Sequence, residues 1–384
     1  GAPGSEGDPM NQGFDRFYGY NCQRNAHSFF PPFLDDDEGI ETINEKAIPG
    51  HQRKPKGEIV ADDYRSRTYA PDRILDEALE FLDANKGNPF FLYCPFVEPH
   101  VAMHPPREWV ERYPVEWDKA KGAYRGQNGY LPHPRPRAGY AAMISDLDEH
   151  VGAILKRLEK HGLVESTIVI FTSDNGGYGG VGREGSNGPW RGGIYTSYEG
   201  AYRVPFLIRW PGVTVPGSRS DVFMGAIDLV PSLLSACGIE KPECLQGRDV
   251  TPIWRGEQTA PEFAKTPGAN ESIYLMNMAN GWPDRHQWVG RWRGVRTERY
   301  TYARWFNNER GPWLFDRESD PLEMRNIVYS SESRSAVEEM EIRLHRWMEA
   351  TGDPFEFGRR GPRGFLDVGQ RWADRERWKD WGTA

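Results

Sequence analysis

The 384-residue sequence contains only four cysteines, Cys22, Cys94, Cys237 and Cys244. They are too few for a disulfide framework, and no two form the CxxC pair of a zinc site. Cys237 and Cys244 are close enough to bridge in an oxidising compartment, and two separate half-buried thiols fit the spacing equally well. No apolar run approaches the ~18 residues that cross a bilayer, so no membrane span is expected. There is no G-x-G-x-x-G opening a helix, no G-x-x-x-x-G-K-[ST] and no H-E-x-x-H, which removes the corresponding nucleotide and zinc-protease readings. The nearest approach to a nucleophile elbow, Glu184-Gly185-Ser186-Asn187-Gly188, lacks the first glycine and a preceding strand. A basic excess is also missing. Lys+Arg 48 against Asp+Glu 56 gives a net charge of −8, which weighs against nucleic acid as a partner. Arg359, Arg360 and Arg363 cluster near the end without a binding pattern around them.

What is present supports a sizeable core. Hydrophobic residues make up 38% and aromatics 13%, with 14 Trp, which argues against disorder. Gly 42 and Pro 30 imply many connections, the usual seat of function in α/β enzymes. From Pro71, Ile74, Leu75, Ala78, Leu79 and Leu82 recur at helical spacing until Gly87-Asn88-Pro89. Phe90 to Cys94 then reads as a strand buried on both faces. A second helical stripe runs from Ala142 through Leu147 and Val151 to Leu158, ended by Gly162, with a β-branched strand from Thr167 to Phe171 after it. This alternation predicts a parallel sheet with helices on its faces. A strand over Val204 to Arg209 and a helix over Ile227 to Cys237 extend the pattern. Beyond about residue 265, short aromatic-rich segments (Ser272 to Met278, Gln287 to Gly294, Tyr300 to Trp305, Trp313 to Asp316) predict a small antiparallel sheet, closed by a helix around Val337 to Trp347. The acidic run Asp35 to Glu38 reads as a solvated turn, and residues 35 to 68 as a long polar excursion.

Three segments carry candidate chemistry. Phe171-Thr172-Ser173-Asp174-Asn175-Gly176-Gly177 sits where a strand ends, and ligands bind beyond strand C-termini in doubly wound sheets. A carboxylate beside an amide oxygen offers two hard ligands suited to Ca²⁺ or Mg²⁺. An Asx-type turn is the plainer reading of the same residues. Glu98-Pro99-His100 places an imidazole after the strand ending near Cys94, where it can donate a proton to a leaving group or bind an anion, or simply bond to backbone. The glycine-rich stretch from Gly188 to Pro205 contains Arg191, which either faces an anion or is an ordinary surface arginine.

Taken together, these segments resemble the sulfatase family of the alkaline-phosphatase-like superfamily. The resemblance rests on Gln12-Gly-Phe-Asp-Arg-Phe-Tyr-Gly19, Asn88-Pro-Phe-Phe-Leu-Tyr93 with Pro99-His100, Tyr140 to Asp148, Ile170-Phe-Thr-Ser-Asp-Asn-Gly176, Tyr198 to Pro205 and Arg209-Trp-Pro-Gly212. Asp228 to Leu234, Val295 to Tyr302 and Leu314 to Pro321 follow in the family's order. The resemblance implies an α/β sandwich with a mostly parallel central sheet flanked by helices, over residues 1–264, and a smaller C-terminal α+β subdomain with an antiparallel sheet, over 265–350. A tail, 351–384, packs on the surface or is disordered. It further implies hydrolysis of sulfate esters of a small molecule or carbohydrate, Asp174 and Asn175 as ligands of Ca²⁺ (or Mg²⁺), and His100 near the leaving-group oxygen. The family tendency is a periplasmic or secreted location.

Two departures qualify that expectation. Sulfatases use a formylglycine made from the first residue of a Cys/Ser-x-Pro/Ala-x-Arg motif, and none of the four cysteines is followed by that pattern. Together with the first-strand Asp pair and a lysine segment, the motif is expected upstream of Gly1. Ile194 stands four residues before Tyr198, where the family has an active-site lysine. Losing one such donor costs ~3 kcal/mol of transition-state stabilisation. Two other readings therefore stand beside the sulfatase: a non-catalytic binding protein on the same scaffold, and a phosphate or phosphonate ester hydrolase. The chain by itself is expected not to turn over sulfate esters. Sulfate release by a contaminant-free preparation of residues 1–384 would contradict this.

Overall fold

Proline in the first turn or a left-handed glycine past the last marks a limit of each long helix. In the computed structural model, which describes residues 4–120, 122–126, 129–177, 185–259, 272–278, 290–306 and 311–357, helix α1 spans Ala70–Asn85 with Pro71 in its first turn. Asp72, also in that turn, complements the positive end of the helix dipole. The chain divides into two units, Gly1–Thr167 with Gly179–Gly185, and Ile168–Tyr178 with Ser186–Ala384.

The first unit is built on α1 and α4. Short helices α2 (Arg107–Glu111) and α3 (Glu116–Lys119) precede α4, which spans Pro136–Lys160. Gly162, at φ 67°, takes the left-handed conformation that releases the chain from α4, and its N–H bonds back to the Glu159 carbonyl at 2.9 Å. Arg157 and His161 of the α4 end both pair with Asp83 of α1. The core gathers Phe29, Phe30, Tyr69, Met103, Leu131 and Met143. Strands β1 (Tyr18–Gly19), β2 (Phe33–Asp36) and β3 (Gly39–Thr42) form an antiparallel sheet in that order. Only Asp37 and Glu38 of the acidic run make the turn from β2 into β3, with the Glu38 N–H donating to Asp36 Oδ1 at 2.6 Å, whereas Asp35 is buried in β2 and accepts the Asn21 N–H at 3.0 Å. Part of the segment read as an excursion is thus a hairpin.

In the second unit β4 (Val169–Thr172) and β5 (Phe206–Arg209) pair antiparallel, Val169 opposite Arg209. Here the structure corrects the expectation that β5 extends a parallel pattern. A parallel neighbour needs a crossover laid on the sheet face, and among the described residues the one helix between these strands is the single turn α5 (Glu199–Tyr202). Phe90–Cys94 joins no ladder among the described residues, and Phe91 and Tyr93 are each 64% exposed. A strand buried on both faces needs neighbours to cover it, and this segment has none there. All four cysteines are free thiols.

Helices α6 (Leu229–Ala236) and α7 (Thr251–Trp254) follow. The expected C-terminal sheet is present as β6 (Ser272–Asn277), β7 (Trp292–Thr297), β8 (Tyr300–Trp305) and β9 (Trp313–Asp316), antiparallel in sequential order. β7 lies later than the stretch from Gln287 to Gly294 expected for it; residues 287–289 fall outside the described residues, as do Arg359, Arg360, Arg363 and most of the tail. Helix α8 (Arg334–Thr351) lays Val337, Met340, Leu344 and Met348 on Val295, Tyr302 and Leu314. This spacing of three and four residues is the apolar stripe of a helix on a sheet. The chain is thus mixed α/β with a four-stranded antiparallel sheet in its C-terminal part. Leu344 is fully buried, so Leu344→Ala should cost about 2–5 kcal/mol, read as a lower urea midpoint. A change within 0.5 kcal/mol, typical of surface positions, would contradict this packing.

Candidate functional site

His100 lies on an exposed loop of the first unit, its N–H bonded to the Val97 carbonyl at 2.9 Å. Its Nδ1 faces the carbonyl of Val101. A carbonyl only accepts, so Nδ1 carries the proton and Nε2 is left with the lone pair in the neutral ring. The imidazole stacks on His27, with centroids 5.0 Å apart and planes 6° from parallel. His27 stacks in turn on His51 at 4.8 Å, and Nδ1 of His27 meets Nε2 of His51 at 2.5 Å. Tyr130 closes the group edge-on, 4.9 Å from His27 and 5.8 Å from His100.

Backbone geometry makes this three-ring stack possible. A Cβ at Gly50 would stand 2.1 Å from the Arg24 carbonyl, so only glycine lets the segment carrying His51 approach the one carrying His27. Burial, followed by the neighbouring His100 and His51, pushes His27 down to about 4. His51 is lowered as well, by burial and then by Arg24 and His100. Two neutral rings therefore back His100 at neutral pH.

A second cluster lies in the same unit. Asp146 and His150, four apart on one face of α4, meet Asp72 from the first turn of α1. His150 Nε2 is 3.0 Å from Asp72 Oδ1 and 3.7 Å from Asp146 Oδ1, while its Nδ1 is 3.9 Å from Glu98 Oε1. Glu98, Asp146 and His150 are buried and Asp72 is exposed. The Tyr69 hydroxyl donates to Glu98 Oε1 at 3.4 Å. Burial raises Glu98 to about 8 and Asp146 to about 6. Asp72, Asp146 and His150 can hold a metal ion. In the sequence Glu98 stands in the His100 segment and Asp146 in the stretch from Tyr140 to Asp148, and no motif there brings them together with Asp72 and His150. The i,i+4 pair Asp146 and His150 was the available signal, hidden inside a helix read for its apolar stripe.

Asp174 and Asn175 lie in the second unit, just past the end of β4. Asp174 Oδ1 accepts the Asn175 N–H at 2.8 Å, and the Asn175 amide donates to the Gly176 carbonyl at 3.1 Å. The pair thus makes the Asx-type turn, while Asp174 Oδ2 and Asn175 Oδ1 accept no hydrogen bond among the described residues. Gly176 passes so close to Gly200 that a Cβ would stand 1.8 Å from its carbonyl oxygen. Arg191 is held by the Glu323 carbonyl at 3.0 Å and lies over the Tyr198 ring at 4.3 Å. It is therefore committed within its own unit and does not replace the charge missing at Ile194, whose half-buried hydrocarbon side chain offers none.

Comparison with known proteins adds independent findings. The sulfatase family model matches residues 3–239, and the model of the C-terminal part of N-sulphoglucosamine sulphohydrolase matches residues 195–350. An ulvan-active sulfatase of Formosa agariphila is 27% identical over 304 residues, 75% of this chain and 54% of its own length. A steryl-sulfatase of Rattus norvegicus is 33% identical over 202 residues, 50% of this chain and 31% of its own. The chain therefore spans about half or less of the length of these curated relatives. A solved structure described as a complex with its substrate D-glucosamine-2-N,6-O-disulfate superposes with a TM-score of 0.68 at 20% identity, covering 91% of this chain and 78% of that one. This establishes the likeness of fold.

The buried His27 yields a pH prediction. Its folded value, about 4, lies below the ordinary 6.5, so its stabilising contribution is complete above about 6.5 and lost as pH falls toward 4. His27→Phe, which keeps a stacking ring, should flatten the fall in urea midpoint between about pH 6.5 and 4.5. An unchanged slope would mean that His27 is protonated in the folded chain.

Proposed function

From a chain that belongs to the sulfatase family, by a match over residues 3–239, we propose a hydrolase that cleaves sulfate esters to alcohol and sulfate. The observation that carries the reading is the family match together with Asp174 Oδ2 and Asn175 Oδ1, which accept no hydrogen bond among the described residues, at the end of β4. A sulfated carbohydrate is the substrate supported by the ulvan-active relative and by the structural neighbour bound to a glucosamine disulfate, and a sulfated sterol is the one supported by the steryl-sulfatase.

Asp174 Oδ2 and Asn175 Oδ1 suit a hard cation such as Ca²⁺, and they supply two of the ~6–8 oxygens it takes. Together they would hold such a cation, whose charge would offset that building on the sulfuryl oxygens. His100 supplies the proton for the departing alcohol oxygen. Its Nδ1–H is fixed on the Val101 carbonyl, so donation from Nε2 requires the imidazolium, and the stack with His27 holds the ring plane steady. The residues present do not fit a formylglycine site, since no cysteine or serine begins the required motif; no step is derived through that group.

Reading the frame upstream of the Gly1 codon tests the proposal first. A Cys/Ser-x-Pro/Ala-x-Arg motif there supports it; a start codon directly before Gly1 overturns it in favour of a binding protein on the same scaffold, the reading that Ile194 favours. In a product carrying that motif, His100→Asn should lower kcat/KM for sugar sulfates by about 10²–10⁴. The loss should be smaller for 4-nitrophenyl sulfate, whose leaving group needs little protonation. Equal losses on both would remove His100 from the acid role, and hydrolysis of aryl phosphate but not aryl sulfate would transfer the activity to phosphate esters.

A further inference from the structure

The geometry points to a second cation site, separate from Asp174 and Asn175, in which Asp72, Asp146 and His150 bind a divalent transition-metal ion with Glu98 orienting the histidine. The inference rests on the first unit alone and is independent of the sulfatase reading.

The distances fit metal ligation. One atom of each of the three residues lies within 4.8 Å of the others. His150 Nε2 is 3.0 Å from one aspartate oxygen and 3.7 Å from another. Ligands about 2.1 Å from an ion lie about 3.0 Å apart along an octahedral edge and about 3.4 Å apart in a tetrahedron. Nε2 thus faces both aspartates, while Nδ1 faces Glu98 at 3.9 Å. That is the order of a carboxylate–histidine–metal triad, and Glu98 would take the remaining N–H and fix the tautomer once the 3.9 Å separation closes to hydrogen-bond length.

Unmet polar atoms point the same way. Glu98 Oε2, Asp146 Oδ2 and His150 Nδ1 are buried without hydrogen-bond partners, and all three side chains are at least 97% covered. Among the described residues no lysine or arginine pairs with any of the three carboxylates. A buried group of this kind costs free energy unless charge or protons compensate it. The exposed Asp72 leaves one side open to water and gives an ion a way in. A nitrogen ligand beside two carboxylates selects Zn²⁺ or Mn²⁺ over Ca²⁺. Glu98 stands two residues before His100, so the ion would also anchor the loop that carries the candidate acid.

The test is equilibrium dialysis of the EDTA-treated chain against Zn²⁺ or Mn²⁺, with bound metal counted by mass spectrometry. About one ion per chain is expected, insensitive to excess Ca²⁺, with a rise in melting temperature. His150→Gln and the surface variant Asp72→Asn should both lose it, the latter guarding against a folding defect. Glu98→Gln should weaken binding about 10–100-fold. Asp174→Ala should leave the ion in place. No bound ion in the wild type, or an ion lost with Asp174→Ala and kept with His150→Gln, overturns the site. The cluster would then be neutralised by protons, whatever reaction the protein performs.

Discussion

Carboxylates taken out of water organise both units, because each must find a cation, a donor or a proton where it is buried. In the second unit arginines meet that need. Glu199, at the start of α5, pairs with Arg296 and Arg317 at 3.0 Å each, and Glu323 accepts the Glu199 N–H at 2.7 Å. Glu341 of α8 is held by Arg304 and the Tyr302 hydroxyl of β8, and Asp353 is held by Arg293 of β7. These pairs tie the helix, the sheet and the chain after α8 to one another, and breaking one partner of such a pair is far more costly than losing a surface pair.

In the first unit Arg16 and Arg73 do the same for the buried Glu77, but around His150 the need is met differently. Glu98 and Asp146 gather around His150, with no arginine or lysine paired to them among the described residues, and burial raises both carboxyls. The joint links α1, α4 and the loop ahead of His100, so the element that carries the candidate acid depends on a polar contact in the core. His100 is braced on its other side by apolar and aromatic means, through His27, His51 and Tyr130. A ring stacked on His27 and met edge-on by Tyr130 loses rotational freedom before substrate arrives, which is the preorganisation that proton transfer in an active site requires.

Much of this could be read directly. Helices α1, α4, α6 and α8 and strand β4 follow from periodicity and from their proline and glycine punctuation, and the four-stranded sheet follows from short aromatic segments. Asp174, Asn175 and His100 stand in short motifs whose order along the chain resembles the family, so their candidacy needed no coordinates. The hairpin at β2 and β3 was not legible, because its turn is made by a charged run that looks the same in a loop. The antiparallel entry of β5 was not legible either, since an apolar strand carries no mark of its direction.

The sequence by itself determined the long helices, the strands of the C-terminal sheet, the class of fold and the family, because these depend on local periodicity and on motif order. Only the tertiary structure decided that His27 and His51 back His100, that Arg191 is tied to Tyr198 and Glu323, and that Asp72, Asp146, His150 and Glu98 converge. Those groups lie between 4 and 132 residues apart along the chain. Their meeting depends on how α1 packs on α4 and how close Gly50 comes to Arg24, and packing between distant segments leaves no local pattern to read.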